Sequence, residues 1–254
     1  MCTIVVATRV WPKWPLVIAA NRDEALARPA EGPALREVGD TKILAPRDVE
    51  AGGTWLGLNA YALFVGITNR YDPAWIGGRT APGSRGDVVL AALQHRTARD
   101  AAEAMEGLDP ARQGPFHLLM ADREGAHVVW SDTQQLHRRM LPPGVHALTE
   151  RSFDAAPTQR EPTLAAAVAG WRSLEAPPDV AALRALLATH ADQTLEGVCV
   201  HADERGYGTR SSTLLRLGAA GEVRMHHADG RPCTTPFVDL APQVEALREA
   251  GRRS

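Results

Sequence analysis

Cys2 stands directly behind the start methionine, at the head of the apolar run in "MCTIVVATRV". If Met1 is removed, an α-amino group with a pKa of about 7.7 to 8.0 sits beside a thiol of about 8.5, so one residue supplies both nucleophile and general base. On position alone, a buried strand cysteine behind a retained Met1 is the simpler reading. Residues 20 to 24, "ANRDE", end a second apolar run with an amide, a cation and two acids. There Asp23 could hydrogen-bond a new amino group, while Asn21 and Asp23 would equally serve as turn residues capping their own backbone. Asn69 closes the apolar run Leu63 to Thr68, where its amide N–H could face a developing oxyanion or simply make a turn. Arg210 in "YGTRSST" precedes a strand, and a cation at that point would lower a thiol pKa, grip a carboxylate or form a surface ion pair.

The elements that would position these residues read as strands, helices, then strands. Thr3 to Ala7 and Leu16 to Ala20 lack polar alternation and are split by "RVWPKWP", whose prolines do not fit a paired central strand. They predict an N-terminal hairpin in a sheet covered on both faces. Residues 52 to 69 repeat the form, with a turn at Asn59 and Ala60. A Gly- and Pro-rich loop then leads to a helix opening near Ser84 to Asp87. Residues 115 to 139 predict a three-strand meander with turns at "DREG" and "SDTQ", and residues 161 to 189 two amphipathic helices broken at "APPD". Strands follow at Thr213 to Leu217 and Val223 to His226, and the C-terminal "LREAGRRS" reads as a solvated tail. Without steady βαβ alternation the order favours an α+β fold with mainly antiparallel sheet. No linker divides the chain, so one domain over residues 1–254 is expected.

Composition narrows the function classes. The 254 residues are 44% hydrophobic and 23% charged, the range of a folded globular chain. The 28 basic and 30 acidic residues give a net charge of -2 with no basic footprint for nucleic acid. No run approaches the roughly 20 apolar residues of a membrane span, so no membrane insertion is expected. Cys2, Cys199 and Cys233 are odd in number and widely spaced, which fits neither a disulfide framework nor a zinc pattern. Reduced thiols and a cytoplasmic location follow. His226 and His227 point to opposite faces of a strand, and no metal is expected.

The stretches "MCTIVV", "VIAANRDE", "GGTWLGLN", "GITN", "SRGDVV" and "VCV...GYGTRSST" together resemble the NRDE family, named for Asn21 to Glu24, which includes the transport and Golgi organisation protein 2 proteins. The matching segments span residues 1–217. That family is similar in turn to the cysteine N-terminal-nucleophile hydrolases, among them penicillin V acylases and bile salt hydrolases. The resemblance implies a four-layer αββα sandwich. It also implies Cys2 as nucleophile, Asn21 and Asp23 supporting it, Asn69 at the oxyanion and Arg210 near the thiol, with Arg22, Glu24, Trp55 and Glu150 on the substrate side. Two positions depart from the pattern. Ala20 stands where the acylases carry an arginine, and Glu150 stands where an asparagine is usual, an acid that would oppose an oxyanion. The implied function is a cysteine amidohydrolase or acyltransferase for a small amide or thioester. The alternative is a haem or acyl-CoA/lipid binding and trafficking protein on the same fold. No cofactor is required, haem is possible as a bound ligand, and the partner is a small molecule.

Overall fold

The computed structural model describes residues 2–75, 82–153, 158–192 and 195–252. Met1 and residues 77–81 of the Gly- and Pro-rich loop lie outside them. Fourteen strands and five α-helices are present among the described residues. The first six strands are β1 (Cys2–Trp11), β2 (Trp14–Ala25), β3 (Ala30–Val38), β4 (Thr41–Asp48), β5 (Leu56–Asn59) and β6 (Phe64–Asn69). Helices α1 (Arg85–Ala92) and α2 (Ala98–Met105) follow. Next come β7 (Phe116–Ala121), β8 (Ala126–Ser131), β9 (Leu136–Leu141) and β10 (Gly144–Leu148), then α3 (Arg160–Val168) and α4 (Val180–Leu187). The chain ends with β11 (His201–Ala202), β12 (Tyr207–Leu217), β13 (Val223–Ala228), β14 (Val238–Asp239) and α5 (Ala241–Arg252).

Contacts divide the chain into two compact units. The first, Met1–Arg28 with Pro143–Leu240, holds a sheet in the order β10-β1-β2-β12-β13-β14, with β11 paired to β12. All its pairings are antiparallel. The N-terminal hairpin forms as expected, with Val5 opposite Ala19 and Ala7 opposite Val17. Both faces of its apolar runs are buried: Ile4 to Ala7 and Leu16 to Ala20 are each at most 3% exposed. The strands run further than the prolines led one to expect. Pro15 lies inside β2, opposite the irregularity between Thr8 and Trp11 and one residue past the last pairing with β12 at Leu16, so no ladder needs its missing N–H. On one face Val5, Ala7, Val17, Ala19 and Leu214 pack on Leu164 of α3 and Leu183, Leu186 and Leu187 of α4.

One pH effect arises in this sheet. His227 on β13 is 6% exposed, its Nδ1 lies 3.0 Å from the Thr213 hydroxyl, and burial lowers its pKa to about 4 from 6.5. Between those values the unfolded chain binds a proton that the folded chain does not, so stability falls as pH drops through that window and levels off below it. The loss amounts to roughly 3 kcal/mol. His227→Gln should flatten the acid side of a Tm-against-pH curve, and an unchanged slope would contradict this assignment.

The second unit, Pro29–Pro142 with Ala241–Ser254, holds a continuous antiparallel meander from β3 to β9. The hairpin of residues 52 to 69 and the three-strand meander appear as β5–β6 and β7–β8–β9. Helix α1 opens at Ser84, whose side chain accepts from the Gly86 N–H at 3.1 Å. A Cβ placed on Gly53 would lie 2.8 Å from the Gly86 backbone, so these two glycines of "GGTW" and "SRGD" let the α1 N-terminus meet the chain directly. The apolar faces of α1 and α2 cover Ile43, Val65, Phe116, Leu118 and Met120. The C-terminus corrects the solvated-tail reading: it forms α5, with Val244 and Leu247 buried and contacts to β3 and β4. The α+β class with mainly antiparallel sheets is as the sequence predicts.

Candidate functional site

The pleat of the first sheet sorts the polar residues at its end. Cys2 is paired with Arg22 and Arg22 with Ser211, so these three share one face. Thr3, Asn21, Asp23, Thr209 and Ser212 take the other, the face that carries α3 and α4. β12 keeps this register through a bulge between Thr209 and Ser211, and the extra residue is Arg210.

Cys2 keeps part of its surface accessible, yet its thiol is enclosed enough that burial pushes its pKa up. The nearby Asp23 carboxylate adds to this, while a backbone hydrogen bond from Asp23 and the Arg22 guanidinium pull the other way. At neutral pH the thiol is therefore protonated and needs a base to react. Arg22 is 5% exposed, with an ion pair to Glu24 at 3.7 Å.

Beneath Cys2 lies a buried charge cluster. Asp23, 3% exposed, accepts from the Thr209 hydroxyl at 2.6 Å through Oδ1, and its Oδ2 lies 3.6 Å from Arg160 Nη1. Arg160 is fully buried at the start of α3, where it also donates to Glu150 Oε2 at 3.2 Å and to the Leu195 carbonyl at 2.7 Å. Burial is the largest influence on the Asp23 carboxyl and pushes its pKa up, while Arg160 and Thr209 hold it down. Tyr207 closes this end by donating from its hydroxyl to the Asp23 carbonyl at 2.9 Å.

Asn21 is committed elsewhere. Its amide donates to the carbonyls of Leu187 and Val198 at 2.9 and 2.8 Å, and its Oδ1 accepts from the Ser212 hydroxyl at 2.6 Å. It ties the sheet to the end of α4 and to the segment before β11. Arg210 is half-buried, and its Nη2 reaches the Arg28 carbonyl at 3.5 Å. Its buried Nε has no partner among the described residues. Glu150 follows β10, whose pairing of Leu148 with Ile4 carries it toward the Cys2 end of β1. Its carboxylate is tied to Arg160, which offsets the charge its sequence position brings. Asn69, exposed at the end of β6, and Trp55, partly buried against the α1–α2 core, belong to the second unit.

Sequence reasoning missed Arg160, a lone arginine in "TQREPT" with no spacing signal. It also missed Thr209, although it lies inside the quoted "GTRSST". Ser211, on the Cys2 face, is a third: its hydroxyl is buried without a partner among the described residues.

The family model for Transport and Golgi organisation 2 matches residues 1–229. The chain belongs to that family. No curated protein sequence matches it. Among solved structures, this family member is similar to a variant of conjugated bile acid hydrolase from Clostridium perfringens, with a TM-score of 0.55 at 12% identity over 97% of this chain and 94% of that one. A second mutant of the same hydrolase gives 0.52 at 11% identity, covering 98% and 94%. A Caenorhabditis elegans N-acylethanolamine-hydrolyzing acid amidase ortholog gives 0.53 at 14%, covering 84% and 92%. At these identities the likeness establishes the fold, that of the N-terminal-nucleophile hydrolases. No helix among the described residues is long and apolar enough to cross a membrane.

Proposed function

We propose that this member of the Transport and Golgi organisation 2 family is a cysteine amidohydrolase or acyltransferase acting on a small amide or thioester. The observation that carries the reading is the Cys2 thiol beside Asp23, over the buried Asp23–Arg160 pair, at the end of the central hairpin. The fold shared with an acid amidase and a bile acid hydrolase supports it. Because burial keeps the thiol protonated, the reaction needs a base. The α-amine of Cys2, freed by removal of Met1, is that base, and Asp23 steadies the ammonium it becomes. The thiolate then attacks the acyl carbon and the C–N or C–S bond breaks. The proton leaves with the amine or thiol, and water or a second nucleophile takes the acyl group from Cys2. Arg210, whose Nε has no partner among the described residues, orients an anionic group of the substrate. Arg22 and Glu24 line the thiol face. Asn21 and Glu150 act through position, the first on the loop before β11 and the second on Arg160.

The test is intact mass of chain expressed in cells together with amine release from an N-acyl amide. A chain shortened by Met1 that releases amine supports the reading. A chain that keeps Met1, releases no amine and binds haemin or a long-chain acyl-CoA would mark a carrier instead.

A further inference from the structure

Four residues outside the proposed catalytic site converge in the first unit. His190 lies just past α4, Cys199 and His201 flank Val200 at the start of β11, and Cys233 sits in the turn between β13 and β14. One ligand atom from each lies within 4.8 Å of all the others. The sulfurs of Cys199 and Cys233 are 3.6 Å apart, and His201 Nε2 is 3.5 Å from the first and 3.2 Å from the second. Around a tetrahedral zinc with Zn–S of about 2.3 Å and Zn–N of about 2.0 to 2.1 Å, two sulfurs lie about 3.8 Å apart and a sulfur and nitrogen about 3.5 Å. A disulfide instead needs about 2.05 Å, and both thiols are free.

We propose that His190, Cys199, His201 and Cys233 bind one zinc ion in a closed Cys2His2 site. Two thiolates and two imidazoles are borderline-soft donors that suit zinc and not magnesium or calcium. Each thiol gives a proton to solvent on binding, so the two thiolates neutralise the dication. Four protein ligands leave no open position, which makes the ion structural.

The scaffold around the cluster is built to hold it. The Cys199 N–H donates to the Thr189 carbonyl at 2.9 Å, next to His190. Arg184 of α4 donates to the carbonyls of Pro232 and Cys233 at 2.8 and 3.4 Å, which fixes the Cys233 turn. Gly208 lets β12 pass close by, since a Cβ there would lie 2.9 Å from the Val200 carbonyl. Val200 joins this cluster to Asp23. Its N–H donates at 2.9 Å to the Thr209 hydroxyl, which itself donates to Asp23. The ion would thus clamp three separate segments and brace the floor under Cys2.

The test uses the untagged full chain, and it does not depend on any hydrolase activity. Elemental analysis should find one zinc per chain. Cobalt(II) added after chelation should give thiolate-to-cobalt charge transfer with tetrahedral d–d bands. Cys2→Ala should keep both signals. Cys233→Ser and His190→Ala, at half-buried and exposed positions, should each weaken zinc binding by on the order of 100-fold. Chelation should lower the Tm of the unaltered chain by roughly 5–10 °C and leave that of Cys233→Ser unmoved. The proposal is overturned if the unaltered chain takes up no stoichiometric metal, if cobalt binds without the charge-transfer band, or if thiol trapping in cells finds Cys199 and Cys233 joined as a disulfide.

Discussion

Cys2→Ala should reduce acyl-amide hydrolysis by at least about 10³-fold, equivalent to roughly 4 kcal/mol of lost barrier reduction, while the Tm shifts by no more than about 2 °C. The asymmetry follows from where the residue sits. Cys2 is the first residue of β1, partly exposed, so trimming its sulfur removes little packing. Its chemistry has no substitute, because Cys199 and Cys233 belong to a different cluster. A large loss of stability without a matching loss of turnover would make Cys2 a packing residue. Fitted KM should change little, since the thiol is used after binding.

Arg160→Ala should have the largest effect on stability. The guanidinium is fully buried between the Asp23 and Glu150 carboxylates, and removing it strands two acids in a low-dielectric interior. The expected cost is about 3–5 kcal/mol, seen as a drop in Tm and in the midpoint of urea unfolding. Asp23 supplies a pH signature. Without Arg160 its already raised pKa rises further, so the variant should lose additional stability as pH climbs from the ordinary carboxylate range through the folded pKa. Glu150→Gln in the Arg160→Ala background should recover part of the loss, because one of the two stranded charges is gone. Additive losses in the double variant would show that the two residues do not interact.

The fold was legible where one physical signal dominated. Ile4 to Ala7 and Leu16 to Ala20 carry no polar residue because both faces of their strands are buried, and that is a pattern a sequence shows directly. Ser84 announced α1 through its capping side chain, and the glycines of "GGTW" and "SRGD" mark a backbone approach. β3 was not legible. Its residues alternate between half-buried and exposed, and Pro33 falls in an irregularity of the β3–β4 ladder, so neither apolar run nor clean alternation appears. α5 was lost because only Val244 and Leu247 carry its buried face amid charged neighbours.

The candidate site divides in the same way. Asn21, Arg22 and Asp23 could be placed because they end a strand beside Cys2. Sequence alone did not say that alternate side chains would part, with Arg22 on the thiol face and Asn21 pinned to the end of α4. Arg160 and the four residues of the Cys2His2 cluster were hidden for a different reason: tertiary folding unites them, and no fixed spacing prefigures it. The expectation of no metal rests on the wide spacing of the cysteines and on His226 and His227 pointing to opposite faces of a strand. "CVH" held the available clue, since residues two apart on an extended segment point the same way.

Conversion of Cys2 to an N-terminal nucleophile is read by mass spectrometry of the N-terminal peptide after brief incubation with an activated acyl substrate and acid quench. The expected product is a peptide that begins at Cys2 and carries the acyl group as a thioester. A peptide that still begins with Met1 and carries no acyl group would contradict it.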